Sequence, residues 1–90
     1  MATTAAPTFT PTLTLAAGDG YRGTFLRLAR TLVADVLTDG PVTARITFEE
    51  HGRPVEHTGT LEDTWTGTNT TYIYLDGQAW DLADLDSIQV

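Results

Sequence analysis

The chain has 90 residues, with 12 Asp and Glu against 5 basic residues, all Arg, a formal charge of -7 and no cysteine. A chain of this length forms one domain that buries roughly 60–65% of its unfolded surface, which excludes a large enzyme fold or a deep interdomain cleft. The missing Cys excludes a disulfide framework, a zinc ribbon and a thiol nucleophile, and no apolar run approaches the ~20 residues that span a bilayer.

Residues 1–18 are rich in Thr, Ala and Pro, the composition of a poorly ordered tail, with disorder expected through about residue 7. Phe9, Pro11, Leu13 and Leu15 alternate with Thr10, Thr12 and Thr14, the period of a half-buried strand, so an edge strand is expected at 8–15; the proline keeps it at an edge. No basic residue precedes Arg22, and Thr and Pro interrupt the apolar residues from Ala2 to Leu15. This is not the pattern of a secretory signal, and the expected compartment is the cytoplasm.

From Tyr21 to Thr38 the period changes to that of a helix. Phe25, Leu26, Leu28, Ala29, Leu32, Val33, Val36 and Leu37 occupy one half of the helical wheel, and Arg27, Arg30, Thr31, Ala34, Asp35 and Thr38 the other. Asp19 is a candidate N-cap, and Asp39-Gly40-Pro41 supplies a left-handed glycine followed by a residue that cannot continue the helix. The apolar half is wider than the stripe one small sheet requires, so the helix is expected to serve a partner as well as the core.

Beyond Pro41 the chain reads as strands. Val42, Ala44, Ile46 and Phe48 alternate with Thr43, Arg45, Thr47 and Glu49, and His51-Gly52-Arg53-Pro54 forms a turn. Val55 to Trp65 is a second strand, with Gly59 at a position where a missing side chain permits a sharp bend. Thr70 to Leu75 is a third, Asp76-Gly77 a tight hairpin turn into Gln78 to Leu82, Ala83 to Asp86 a single turn, and Ser87 to Val90 a fifth strand. A helix followed by five short strands, the second bent and the last preceded by one turn, describes a mainly β, α+β domain over residues 19–90: one amphipathic helix on a five-stranded antiparallel barrel.

The run Val42 to Val90 resembles the Sm-like and SH3-like small barrels, through the segment Gly59-Thr60-Leu61-Glu62-Asp63 and the ending Leu85-Asp86-Ser87-Ile88-Gln89-Val90. The helix before the first strand favours the Sm-like arrangement, and from Asp19 onward the chain is similar to the Rof proteins, acidic Sm-like antiterminators that bind the transcription terminator Rho. The resemblance implies a barrel that either contacts a protein or binds RNA. Sm-like RNA binders carry basic or polar signature residues in their later loops, where this chain has Asp76, Asp81, Asp84 and Asp86.

Catalytic chemistry is poorly supplied. Ser87, the one serine, lies between Asp86 and Ile88 without the glycines of a nucleophile elbow, and is read as a hydroxyl that hydrogen-bonds the turn before the last strand. His51 and His57 flank a hairpin without a third well-placed ligand and are read as solvated residues, so no metal or cofactor is expected. Strict alternation puts Glu62 and Asp63 on opposite faces, a poor acid–base pair. If Ile73 and Leu75 face the core, Tyr72 and Tyr74 face outward as an adhesive strip; Trp80 and Leu82 share a core face, and Trp65 is half exposed near a strand end.

Charge completes the reading. Residues 1–44 balance Asp19, Asp35 and Asp39 against Arg22, Arg27 and Arg30, so the whole of the -7 lies beyond them, a sign that opposes general binding of nucleic acid. The expectation is a non-enzymatic interaction module offering Tyr72, Tyr74, Trp65, Glu62, Asp63, Asp76, Asp81 and Asp84 to a basic protein, by analogy with phage and prophage regulators that inhibit host nucleic-acid machinery. The alternatives are an RNA-binding Sm-like ring and a structural assembly subunit. A homodimer or ring through the helix and residues 8–15 is also expected, and no membrane.

Overall fold

The computed structural model describes residues 9–17 and 22–90. The expected tail disorder through residue 7, the Asp19 cap and the helix start at Tyr21 lie outside them. Within them the chain forms β1 (Thr14–Ala16), α1 (Arg22–Leu37), β2 (Val42–Glu50), β3 (Arg53–Thr66), β4 (Thr71–Leu75), β5 (Gln78–Asp81), a 3-10 turn (Leu82–Asp84) and β6 (Ser87–Gln89). All pairings are antiparallel, in the order β1-β6-β2-β3-β4-β5.

The fold is therefore mainly β with one helix, but the sheet has six strands and is not closed, against the expectation of a five-stranded barrel. The extra strand is β1, set at Thr14–Ala16, which overlaps only the end of the 8–15 segment where an edge strand was expected and extends one residue past it, and it occupies the free side of β6. Two irregularities shorten it. Pro11 has no N–H to give a ladder, and the amides of Thr12 and Leu13 both donate to the Val90 carbonyl, at 2.8 and 3.0 Å.

Although unclosed, the sheet is strongly rolled. Phe48 on β2 and Trp80 on β5 are three strands apart, about 14 Å in a flat sheet at normal strand spacing. Their ring centroids are 5.0 Å apart, and the His57 ring lies 5.5 Å from the same indole. Trp80 thus packs against the core, as expected of it. His57 differs from expectation: it shares the inner face with its cross-strand partner Ile46 and is half-buried under the indole.

The roll passes through β3. Its first part, Arg53 to Leu61, pairs with β2, and its last part, from Leu61 on, pairs with β4. Leu61 is fully buried and opposes Val42 on one side and Leu75 on the other. The register then shifts between Leu61 and Asp63, the extra residue of a β-bulge, which bends and twists the strand. Just before the bulge, the Asp76 carboxylate accepts a hydrogen bond from the Thr60 amide at 2.9 Å, while the Asp76 amide donates to the Thr60 carbonyl at 3.0 Å. The β4–β5 turn is thereby clamped onto β3.

Helix α1 closes the core with Phe25, Ala29 and Val33, spaced four apart and buried against Ile46, Leu61, Ile73, Leu75, Leu82, Leu85 and Ile88. It ends as the sequence indicates: Gly40 has φ of 106°, and its amide donates to the Leu37 carbonyl at 3.1 Å. At its start, the Arg22 guanidinium donates to the carbonyls of Ala83 and Leu85 at 2.6 and 2.5 Å, tying the helix to the turn before β6. Ser87 does not bond that turn through its side chain; its hydroxyl meets the Thr47 hydroxyl across the β2–β6 pair at 2.6 Å.

Gly59 is where a side chain is least affordable. A Cβ there would stand 2.3 Å from the Asp76 carboxylate, so the clamp must open to admit it. Gly59→Val is expected to lower stability by about 2–3 kcal/mol, beyond the roughly 1 kcal/mol of an average substitution. The cost should fall to about half in an Asp76→Gly background, where nothing remains to collide with. Denaturant unfolding of the four-member cycle measures this, and additive costs would refute the clamp.

Candidate functional site

The bulge decides which side chains of β3 reach solvent. Up to Leu61 the odd-numbered residues face inward; beyond it Thr64 and Thr66 oppose Ile73 and Thr71 of the inner face, and Trp65 is turned outward. The inward hydroxyls find partners, Thr64 donating to the Tyr72 carbonyl at 2.9 Å and Thr66 meeting the Thr71 hydroxyl at 3.4 Å. Strict alternation therefore fails at Glu62 and Asp63: both are exposed on the bulge, rather than one inward and one outward.

On the outer face, β3, β4 and β5 bring the expected aromatics together. Trp65, Tyr72 and Asp81 form one cross-strand row, and Asp63, Tyr74 and Ala79 the next. Trp65 is 53% exposed, with its ring 6.0 Å from that of Tyr72. Tyr72 and Tyr74 alternate with the buried Thr71, Ile73 and Leu75 and are half-buried themselves. The result is a two-row aromatic ledge near the β5 edge of the sheet, with Ala79 as a small step beside Tyr74.

The acids named with these aromatics divide into two groups. Asp63 accepts a hydrogen bond from the Thr64 amide at 2.8 Å, and Asp81 caps the 3-10 turn through the Ala83 amide at 2.9 Å; both still border the ledge. Asp76 is drawn away to the Thr60 amide and is not part of it. Glu62 and Asp84 are exposed and hold no side-chain hydrogen bond or ion pair among the described residues.

Two features were not visible to sequence reasoning. A polar cleft of about 200 Å³ lies between α1 and the β3–β4 loop, with Leu26 and Arg30 on one wall and Thr66, Thr68, Asn69 and Asp81 on the other. An apolar groove of about 270 Å³ lies between β1 and α1, lined by Leu13, Leu15, Leu28 and Leu32. Both are formed by residues far apart in the chain, so no local spacing announces them. Among the described residues no three His, Asp or Glu side chains are grouped to hold a metal ion, and His51 sits in the β2–β3 turn with φ of 53° and its side chain 91% exposed. Among the same residues no helix is long and apolar enough to cross a membrane.

No family model, curated protein or solved structure matches the chain.

The ledge depends on a glycine. A Cβ at Gly67 would come within 2.5 Å of the Trp65 ring, so this loop position is covered by the indole. Gly67→Ala should push the Trp65 ring off its seat with a stability change of about 1 kcal/mol or less, since the ring is largely exposed. In a Trp80→Phe background, where Trp65 is the sole indole, the variant should show red-shifted emission and stronger iodide quenching. An unchanged spectrum would place the ring elsewhere.

Proposed function

We propose that this domain is a non-catalytic interaction module whose aromatic ledge, bordered by Asp63 and Asp81 and with the exposed Glu62 and Asp84 as further acids, receives a basic segment of another protein. The observation that carries the reading is the pairing of Trp65 with Tyr72 on the solvent face, side by side and more than half exposed at Trp65. Exposed Trp and Tyr dominate the affinity of protein interfaces, because they offer large rigid apolar surfaces with a polar tip. The flanking carboxylates choose the sign of the partner. Arg and Lys side chains stack on indole and phenol faces and pair with carboxylates at their rim, whereas nucleic-acid phosphates would be repelled.

The small-barrel reading is supported by topology. A helix precedes a four-strand meander, a single 3-10 turn follows, and the last strand returns to pair with the first strand of the meander. This is the order of the Sm-like and SH3-like barrels that the sequence resembles. The likeness to Rof proteins, and with it a Rho-like target or a regulator of phage type, rests on the hydrophobic spacing and on Leu85-Asp86-Ser87-Ile88 alone.

Titration of isotope-labelled protein with an Arg-rich peptide should shift the amide resonances of Trp65, Tyr72, Tyr74, Ala79 and Asp81. Trp65→Ala should weaken binding by about tenfold or more, equivalent to about 1.4 kcal/mol or more, while leaving the fold intact. Binding should weaken as salt rises through the range where screening shortens below about 10 Å. Tighter binding of a single-stranded oligonucleotide than of any basic peptide, or shifts confined to β1 and α1, would overturn the reading.

A further inference from the structure

The opposite edge of the sheet, at β1, is built differently. Leu13, Leu15 and Ala17 direct their backbone groups toward β6, as the bonds from Leu13 and Ala17 to Val90 and Asp86 show, which leaves the N–H and C=O of Thr14 and Ala16 pointing outward. Among the described residues these outward groups have no backbone partner. Edge strands are commonly protected by charges, proline, short length or a cover; β1 is short and follows Pro11, but residues 9–17 contain no charged side chain. Beside this edge lies the apolar groove between β1 and α1, where Leu13 is 50% and Leu28 46% exposed.

We infer that the occupant of this edge and groove is a second copy of the same chain, related by a two-fold axis. The geometry is self-complementary. Antiparallel pairing of β1 with its copy about Leu15 sets Thr14 of each chain opposite Ala16 of the other, so that every outward N–H and C=O of these residues is satisfied at once. Leu13 and Leu15 of the two chains then lie on one face and fill the joined grooves.

Charge complementarity selects a copy over an unrelated partner. Arg27, Thr31 and Asp35 lie four residues apart on one ridge of α1, and the two-fold axis reverses the helix, bringing Arg27 of one chain toward Asp35 of the other. Among the described residues the ion pairs involve Arg22, Arg45 and His51, not Arg27 or Asp35. Two chains of charge -7 repel over most of their surfaces, whereas residues 1–44, the part of the sequence that supplies β1 and α1, sum to zero charge. Contact of β1 with the β5 edge of the next chain would instead bring Asp76, Asp81 and Asp84 to the joint and would not close on two copies.

Sedimentation equilibrium from about 5 to 500 µM should report a monomer–dimer equilibrium, with no larger species. Leu28→Asp, at an exposed position, should raise the dissociation constant about 100-fold, and Thr14→Pro, which removes an outward N–H and no backbone bond to β6, though it also removes the hydroxyl that accepts from the Gln89 side chain at 3.1 Å, should do so by about tenfold or more. Arg27→Asp should weaken the dimer about tenfold, and adding Asp35→Arg should restore it to within about threefold of the original, a rescue that loss of folding cannot imitate. Each variant is checked for an unchanged circular dichroism spectrum. A monomer at every concentration, an assembly larger than two, or a dimer indifferent to Leu28→Asp and to the charge swap would overturn the inference.

Discussion

The structure depends on one strand serving two neighbours in succession. β3 runs from Arg53 to Thr66, long enough to leave β2 and join β4, and Leu61 stands at the crossing with a partner on each side. A flat sheet would let both neighbours run its full length but would spread the inner face too widely for one short helix to cover. Bending β3 folds the β4–β5 hairpin back over β2, and the inner face becomes a concavity that Phe25, Ala29 and Val33 can seal. The bend needs specific means, and three meet along Gly59 to Asp63: Gly59 leaves room, the Asp76 carboxylate from the β4–β5 turn fills it while fixing Thr60, and the bulge at Glu62 adds the twist.

The same bulge determines what the outer surface offers. Had β3 kept a strict period of two from Val55, Trp65 would have turned inward with Leu61, and the outer face opposite Tyr72 would have carried a threonine. One inserted residue moves the largest side chain of the segment to solvent and sets it beside the tyrosine strip. A device needed to roll the sheet therefore also exposes the ledge. Gly67 completes the arrangement by giving the indole a surface without a side chain to rest on.

Much of this was legible in the sequence wherever the determinant is local. The helix over the apolar half-wheel, its stop at Gly40-Pro41, the turns at His51-Gly52 and Asp76-Gly77, and the inward Ile73 and Leu75 all follow from spacing or from residues that tolerate positive φ. The outward Tyr72 and Tyr74 followed from the same alternation. The bulge was hidden because the inward residues after it are Thr64 and Thr66, whose hydroxyls are satisfied by β4, so no apolar residue marks the change of phase. The carboxylate of Asp76 reads as one more surface charge until the fold places it over Gly59, and His57 reads as solvated until Trp80 arrives from two strands away. The six-strand open sheet escaped for a related reason. Whether β6 stays free or takes β1 depends on the register of Val90 against Thr12 and Leu13, a contact between the two ends of the domain.

Rolling without closing leaves two edges, and the chain treats them in opposite ways. At β5 the edge is bordered by acids, two of them held in place by backbone amides: Asp76 on Thr60 and Asp81 on Ala83. Fixed carboxylates along an edge repel a like-charged copy, the usual protection of an open strand, and they favour a basic partner. At β1 the edge has no charge of its own, and its neighbour is a helix whose arginines and aspartate are separated along its length. Among the described residues this edge is protected only by its length of three residues and by Pro11, and the acid-rich remainder of the surface restricts what can cover it. On the proposed readings, the distribution of charge gives the two edges different kinds of partner, with the β-sheet between them as a spacer. Four strands separate β1 from β5, so the two surfaces share no residue, and substitutions at one can be read without disturbing the other.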